Sequence, residues 1–177
     1  MNELNIVILS CHDFVNRFTS SKNKLFYELI TSKIKFNFYI LPPYRNYDIS
    51  SYKKYKDYLY NLADVCLISF FNTKPGYFND EIKRWISDIR DKNNKVLIYF
   101  IIPHSLGEKD EIKKEEYQKN KAILYYTNEN FKDSINSSLI YLSDIICNIN
   151  LEKSDLKIKN KKKEEDIELH VFTKIDK

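Results

Sequence analysis

Residues 63–102 read ADVCLISFFNTKPGYFNDEIKRWISDIRDKNNKVLIYFII. The order of polar and apolar runs in this stretch sets the architecture. Residues 65–71 are apolar except for Ser69, which is too continuous for a strand with one wet face and suits a strand covered on both sides. Asn72, Thr73, Pro75 and Gly76 are turn formers. Ile82, Trp85, Ile86 and Ile89 then recur at helical spacing, with Lys83, Arg84, Asp88 and Arg90 on the opposite side. The polar run 91–94 ends that helix, and residues 96–102 form a second strand of the buried type. The unit is βαβ, with a right-handed crossover expected. Glu81 opens the crossover helix and therefore belongs to the carboxyl edge of the sheet, where open α/β sheets bind ligands.

Outward from this unit, residues 4–9 predict the first strand, with Ser10, Cys11, His12 and Asp13 at its carboxyl end. A helix is expected over at least residues 21–32, capped by Ser20 or Ser21, from the spacing of Leu25, Phe26, Leu29 and Ile30. Residues 36–41 predict a strand that Pro42 and Pro43 stop. A polar loop over 44–51 leads to a helix faced by Tyr52, Tyr55, Tyr58, Leu59 and Leu62. Pro103 ends the strand over 96–102, and a charged segment over 107–120 is expected to be helical in its later half. Residues 122–126 predict a short strand. Residues 131–148 predict the last helix, capped by Thr127 or Asn128. The expected result is a doubly wound, three-layer α/β/α domain over residues 1–150, with a five-stranded parallel sheet ordered near 2-1-3-4-5. The charged remainder, 151–177, reads as a solvated linker or arm. Within it, residues 167–175 alternate well enough for a further strand at a sheet edge or against a partner.

Composition narrows the chemistry. The chain has 177 residues, 43% hydrophobic and 31% charged, enough for one domain with a real core. A formal charge of +4, concentrated near residues 157–163, does not call for nucleic acid. Only two glycines are present, Gly76 and Gly107. A P-loop or a dinucleotide fingerprint needs several glycines clustered after a strand, so a nucleotide would have to be held by side chains and helix termini. The three cysteines show no metal-ligand spacing; Cys66 and Cys147 read as core residues, and a reduced, cytoplasmic setting is expected. No signal-peptide pattern opens the chain and no apolar run is long enough to span a bilayer. The glycine-poor, lysine- and asparagine-rich usage points to an AT-rich, bacterial genome.

Several residues can carry chemistry at the carboxyl edge. A carboxylate at Glu81 can hold ribose hydroxyls, stabilise positive charge on a ribose carbon as a base departs, or attack that carbon. An acid in the first turn of a helix also simply complements the helix dipole. Asp80 is the adjacent alternative, but successive helical residues diverge by about 100°, so only one of the pair faces a cleft. Ser10 and Asp13 either line a polar ligand site or cap the next helix. Tyr44 and Arg45, stiffened by Pro42-Pro43, can reach over the same cleft, with Arg45 able to meet a phosphate; an ordinary solvated loop explains them somewhat better. Tyr77 lies beside Glu81, while Trp85 is read as packing against the sheet. His104 follows a strand without a partner in sequence.

At these residues the chain resembles the superfamily joining Toll/interleukin-receptor (TIR) domains and nucleoside deoxyribosyltransferase-like proteins. IVILSCHDF is similar to the opening strand and S-x-x-D turn, ADVCLISFF to the third strand, and NTKPGYFNDEIKRW to the loop and helix that carry the family's glutamate. KVLIYFI and YYTNENFKDSINSSL are similar to the strands and helix that follow. The resemblance implies a flavodoxin-like or TIR-like fold and cleavage of an N-glycosidic bond in NAD, which is then a substrate and not a cofactor, or in a nucleoside. It implies Glu81 as the catalytic acid, with Ser10, Asp13 and Ser69 lining the pocket. It also implies action through self-assembly or a partner protein, in settings such as bacterial antiviral defence, and some members act only as non-catalytic interaction modules. No membrane or nucleic-acid partner is expected.

Overall fold

The computed structural model describes residues 2–9, 26–41, 49–70, 78–106 and 118–156. Six strands lie in one sheet: β1 (Asn2–Leu9), β2 (Phe26–Ile30), β3 (Ile34–Ile40), β4 (Val65–Ser69), β5 (Leu97–Pro103) and β6 (Ala122–Thr127). Their spatial order is β2-β3-β1-β4-β5-β6. All neighbours are parallel except β2 and β3. The five parallel strands, taken alone, have the expected 2-1-3-4-5 order, with the chain reversing its direction of growth at β1. Three α-helices are described: α1 (Ile49–Leu62), α2 (Phe78–Arg90) and α3 (Phe131–Cys147).

The continuous apolar runs are buried on both faces. On one face, Val7, Leu9, Cys66, Ile68, Ile98 and Phe100 pack with Tyr55 and Leu59 of α1 and with Ile82, Ile86 and Ile89 of α2. On the other, Ile6, Ile8, Phe36, Leu67, Tyr99 and Ile101 pack with Ile135, Leu139 and Leu142 of α3. Fully burying such a side chain is worth about 1.5–3 kcal/mol, so these two layers are the main source of stability. Trp85 is partly buried against the first layer, as core packing requires. In α1 the buried tyrosines are Tyr55 and Tyr60, whereas Tyr58 is exposed. The Tyr60 hydroxyl donates to Asp88 of α2 (2.8 Å), and Asp88 also accepts from Lys56 (2.7 Å), tying the two helices together.

Two expectations are corrected. Within residues 21–32, the described part is not helical: Phe26–Ile30 is an antiparallel edge strand on β3, which makes the sheet six-stranded and mixed. Phe26, Leu29 and Ile30 have a spacing that suits a helix, yet the segment is rich in aromatic and branched residues that also fit a pleat. Pairing decides the matter. Phe26 lies opposite Tyr39, their rings 4.9 Å apart, and Glu28 reaches Lys35 at 2.6 Å. Thr31 closes the hairpin: its Oγ1 accepts from the N–H of Ile34 (2.9 Å) and of Lys33 (3.2 Å), and its own N–H donates to the Ile34 carbonyl.

The second correction concerns α3. Its cap is Asn130, whose side chain accepts from the Asp133 N–H, in place of Thr127 or Asn128. The helix closes at Asn148 in the left-handed conformation (φ 53°), which asparagine tolerates. Beyond it the body continues. Leu151 and Leu156 are buried in the α3-side layer, so a charged arm cannot begin before residue 157. The short turn Lys153–Leu156 is pinned by Lys33, which reaches Asp155 (3.2 Å) and the Asn150 carbonyl (2.8 Å).

Candidate functional site

The carboxyl ends of β1 and β4 flank the point where strand order reverses, the usual ligand edge of such a sheet. Helix α2 follows β4 and starts at this edge, because a crossover helix must run back against two parallel strands. Its burial pattern sets the orientation of its acids. Ile82, Ile86 and Ile89 face the sheet, Asp80 is exposed, and Glu81 is half-buried on the flank that Trp85 continues one turn later. Glu81 forms no hydrogen bond or ion pair with any described residue, and its position in the first turn of α2 puts it in the positive end of the helix dipole. A half-buried carboxylate at this edge, committed to none of the described residues, is placed as a ligand-facing acid would need to be.

Ser69 is the last residue of β4 and is 3% exposed. Side chains alternate along β4: Val65 and Leu67 belong to the α3 layer, Cys66 and Ile68 to the α1/α2 layer. Ser69 therefore turns to the α3 side. It shares the carboxyl edge with Glu81 but not the face. Ser10, Asp13, Tyr44, Arg45 and Tyr77 lie outside the described residues. His104 begins the short turn after β5, half-buried, with its ring 6.1 Å from that of Tyr126 on β6.

A polar cluster at the carboxyl end of β6 escaped the sequence reading. Glu129 accepts from the Tyr125 hydroxyl (3.3 Å) and from Ser137 (3.2 Å). Ser134 reaches Thr127 (3.2 Å) and the Asn130 carbonyl (3.0 Å). These bonds join the β6–α3 turn to the first turns of α3. Their sequence signal is the T-N-E-N run, whose residues also suit a helix cap.

Cys66 lies in the core as expected, whereas Cys147 is only half-buried. Burial pushes the Cys66 thiol up to about 12, leaving it un-ionised and inert at neutral pH. Burial also raises Cys147, with the Asp64 carboxylate adding to the effect. Among the described residues no group of three or more His, Cys, Asp or Glu could hold a metal ion, and no helix is long and apolar enough to cross a membrane.

A depression of about 650 Å³ opens at the opposite, amino edge of the sheet. Its lining includes Asp64, Asn93, Lys95, Leu97, Lys121 and Ile145. The polar groups here are largely committed to structure: Asp64 accepts from the Asn5 N–H (2.8 Å), and Asn93 donates to the Tyr60 carbonyl (2.8 Å). The depression and Glu81 are at different ends of the strands. The chain matches no protein-family model and no curated protein.

Proposed function

We propose that the chain is a TIR-like domain that cleaves the N-glycosidic bond of NAD, with Glu81 as the acting carboxylate. The observation that carries this reading is that Glu81, in the first turn of the helix that follows the central strand β4, is half-buried and pairs with none of the described residues. An acid needed only to complement a helix dipole works equally well fully exposed, as Asp80 is.

In this mechanism the Glu81 carboxylate accepts hydrogen bonds from hydroxyls of the nicotinamide ribose. The bond between the ribose anomeric carbon and the pyridinium nitrogen breaks, and its electron pair leaves with nicotinamide. Glu81 stabilises the resulting oxocarbenium-like carbon. Water attacks that carbon and loses a proton, giving ADP-ribose; attack from within the same molecule gives a cyclised product. Ser10 and Asp13 are the proposed pocket lining, with Tyr44, Arg45 and Tyr77 at its rim; Ser69 stands at the same edge but on the α3 face, so it is not assigned to this pocket.

The test uses the purified chain with NAD and, separately, with deoxynucleosides, beside Glu81→Gln. Nicotinamide release that falls by about 100-fold or more in the variant supports the proposal, the size expected for losing a transition-state electrostatic contact. Base release from nucleosides alone moves the activity to nucleoside cleavage or base exchange. Absence of release from either substrate, even at high protein concentration, leaves a non-catalytic interaction module.

A further inference from the structure

Strand β6 ends the sheet, and among the described residues it pairs only with β5. An open edge of this kind presents unpaired backbone donors and acceptors and is normally covered. The face beside it is also incompletely covered. Ile123 and Tyr125 of β6 are only partly buried. On α3, Tyr141, Ile145 and Ile146 are 45%, 43% and 39% exposed. Tyr99 forms the floor between these walls, its ring 6.0 Å from Tyr125 and 6.1 Å from Tyr141. At the amino end of this strip, Lys95 and Lys121 line the depression, both exposed and neither in an ion pair with a described residue.

We propose that residues 167–175 of the same chain (IELHVFTKI) add to β6 as a parallel seventh strand, covering both the open edge and the apolar strip. Three features select this occupant. First, the alternation puts Ile167, Leu169 and Val171 on one side, the set needed to meet Ile123, Tyr125, Tyr141 and Ile145. Second, Glu164, Glu165 and Asp166 immediately precede the segment. In the parallel orientation they come to the amino edge, beside Lys95 and Lys121. Third, the chain leaves the described body at that same edge, because the Lys153–Leu156 turn is bound to Lys33 at the start of β3. From β3 to a strand beyond β6 is five inter-strand steps, about 24 Å. The intervening residues 157–166 can span up to about 33 Å.

Hydrogen exchange on the full chain tests the proposal. The expected result is protection of the amides in 167–175 by at least tenfold over an unstructured segment, together with protection along Ala122–Thr127. The double substitution Leu169→Asp, Val171→Asp should lower both by tenfold or more while leaving α1 unchanged. Ile145→Lys, at an exposed position that does not threaten the core, should release the segment in the same way. Unprotected amides in 167–175, or protection indifferent to all of these changes, overturns the proposal. Protection present only in a concentration-dependent dimer also overturns it, in favour of the segment pairing with a second copy.

Discussion

The two ends of the sheet are built differently. At the amino end, side chains stitch the turns to the body. Arg90 donates to the carbonyls of Asn93, Val96 and Asn120, joining the end of α2 to the turns that enter β5 and β6. Asn93 accepts from the N–H groups of Lys95 (2.9 Å) and Val96 (3.1 Å) while donating to Tyr60. Asp64 holds the Asn5 N–H, and Lys33 holds the turn after α3. At the carboxyl end, Glu81 has none of these ties to the described residues. Among the described residues the carboxyl end is tied at the β6–α3 turn through Glu129 and Ser134, while Glu81 has no such tie. The difference shows that an acid's availability for chemistry depends on whether the fold has already used it.

The sharpest way to break this contrast is Arg90→Ala. It strands several partly buried carbonyls at once and should cost about 3 kcal/mol, read as a fall in the urea midpoint. A loss below about 1 kcal/mol would mean that the amino-end stitching is ornamental. Glu81→Gln should do the reverse. It should leave stability within about 0.5 kcal/mol, as expected away from structural networks, while the 100-fold loss of base release proposed above corresponds to about 2.7 kcal/mol of barrier. If it destabilises the fold as Arg90→Ala does, Glu81 belongs to the structural set and the contrast collapses.

Asn93→Ala removes one donor and one acceptor of the amino-end turn and should cost about 1–2 kcal/mol by the same denaturation measurement. The smallest effect concerns acid. The Glu152 N–H, and then Lys33, hold the Asp155 carboxyl below its ordinary range. A depressed acid contributes stability above its unfolded pKa and loses that contribution as pH falls through the folded value. The turn Lys153–Leu156 should therefore loosen at pH below about 4, the ordinary carboxylate value, seen as amide shift changes at Glu152 and Asp155. Asp155→Asn should remove this pH dependence.

Much of the architecture was legible locally. The runs that became β4 and β5 are apolar on both faces, and Ile82, Ile86 and Ile89 mark one side of α2, so a short window contains the whole signal. The edge strand β2 was not legible in that way. Phe26, Leu29 and Ile30 satisfy a helical spacing, and only Tyr39, Lys35 and the Thr31 turn choose the strand. The cap at Asn130 was missed because several neighbouring residues could have capped α3, and only backbone direction selects among them. For the site, the position of Glu81 at the head of α2 could be read from order alone. Its half-burial and its lack of a partner among the described residues could not be, and neither could the turning of Ser69 to the opposite face.

By itself, then, the chain's pattern of apolar runs determined a doubly wound sheet and put one acid at its ligand edge, because burial on one or both faces is written in residue spacing. Tertiary structure alone decided that β2 is a strand, that the folded body continues to Leu156, and that Asp64 and Asp88 are used while Glu81 pairs with none of the described residues. Those outcomes depend on which groups meet across distant parts of the chain, and spacing along the sequence carries no record of such meetings.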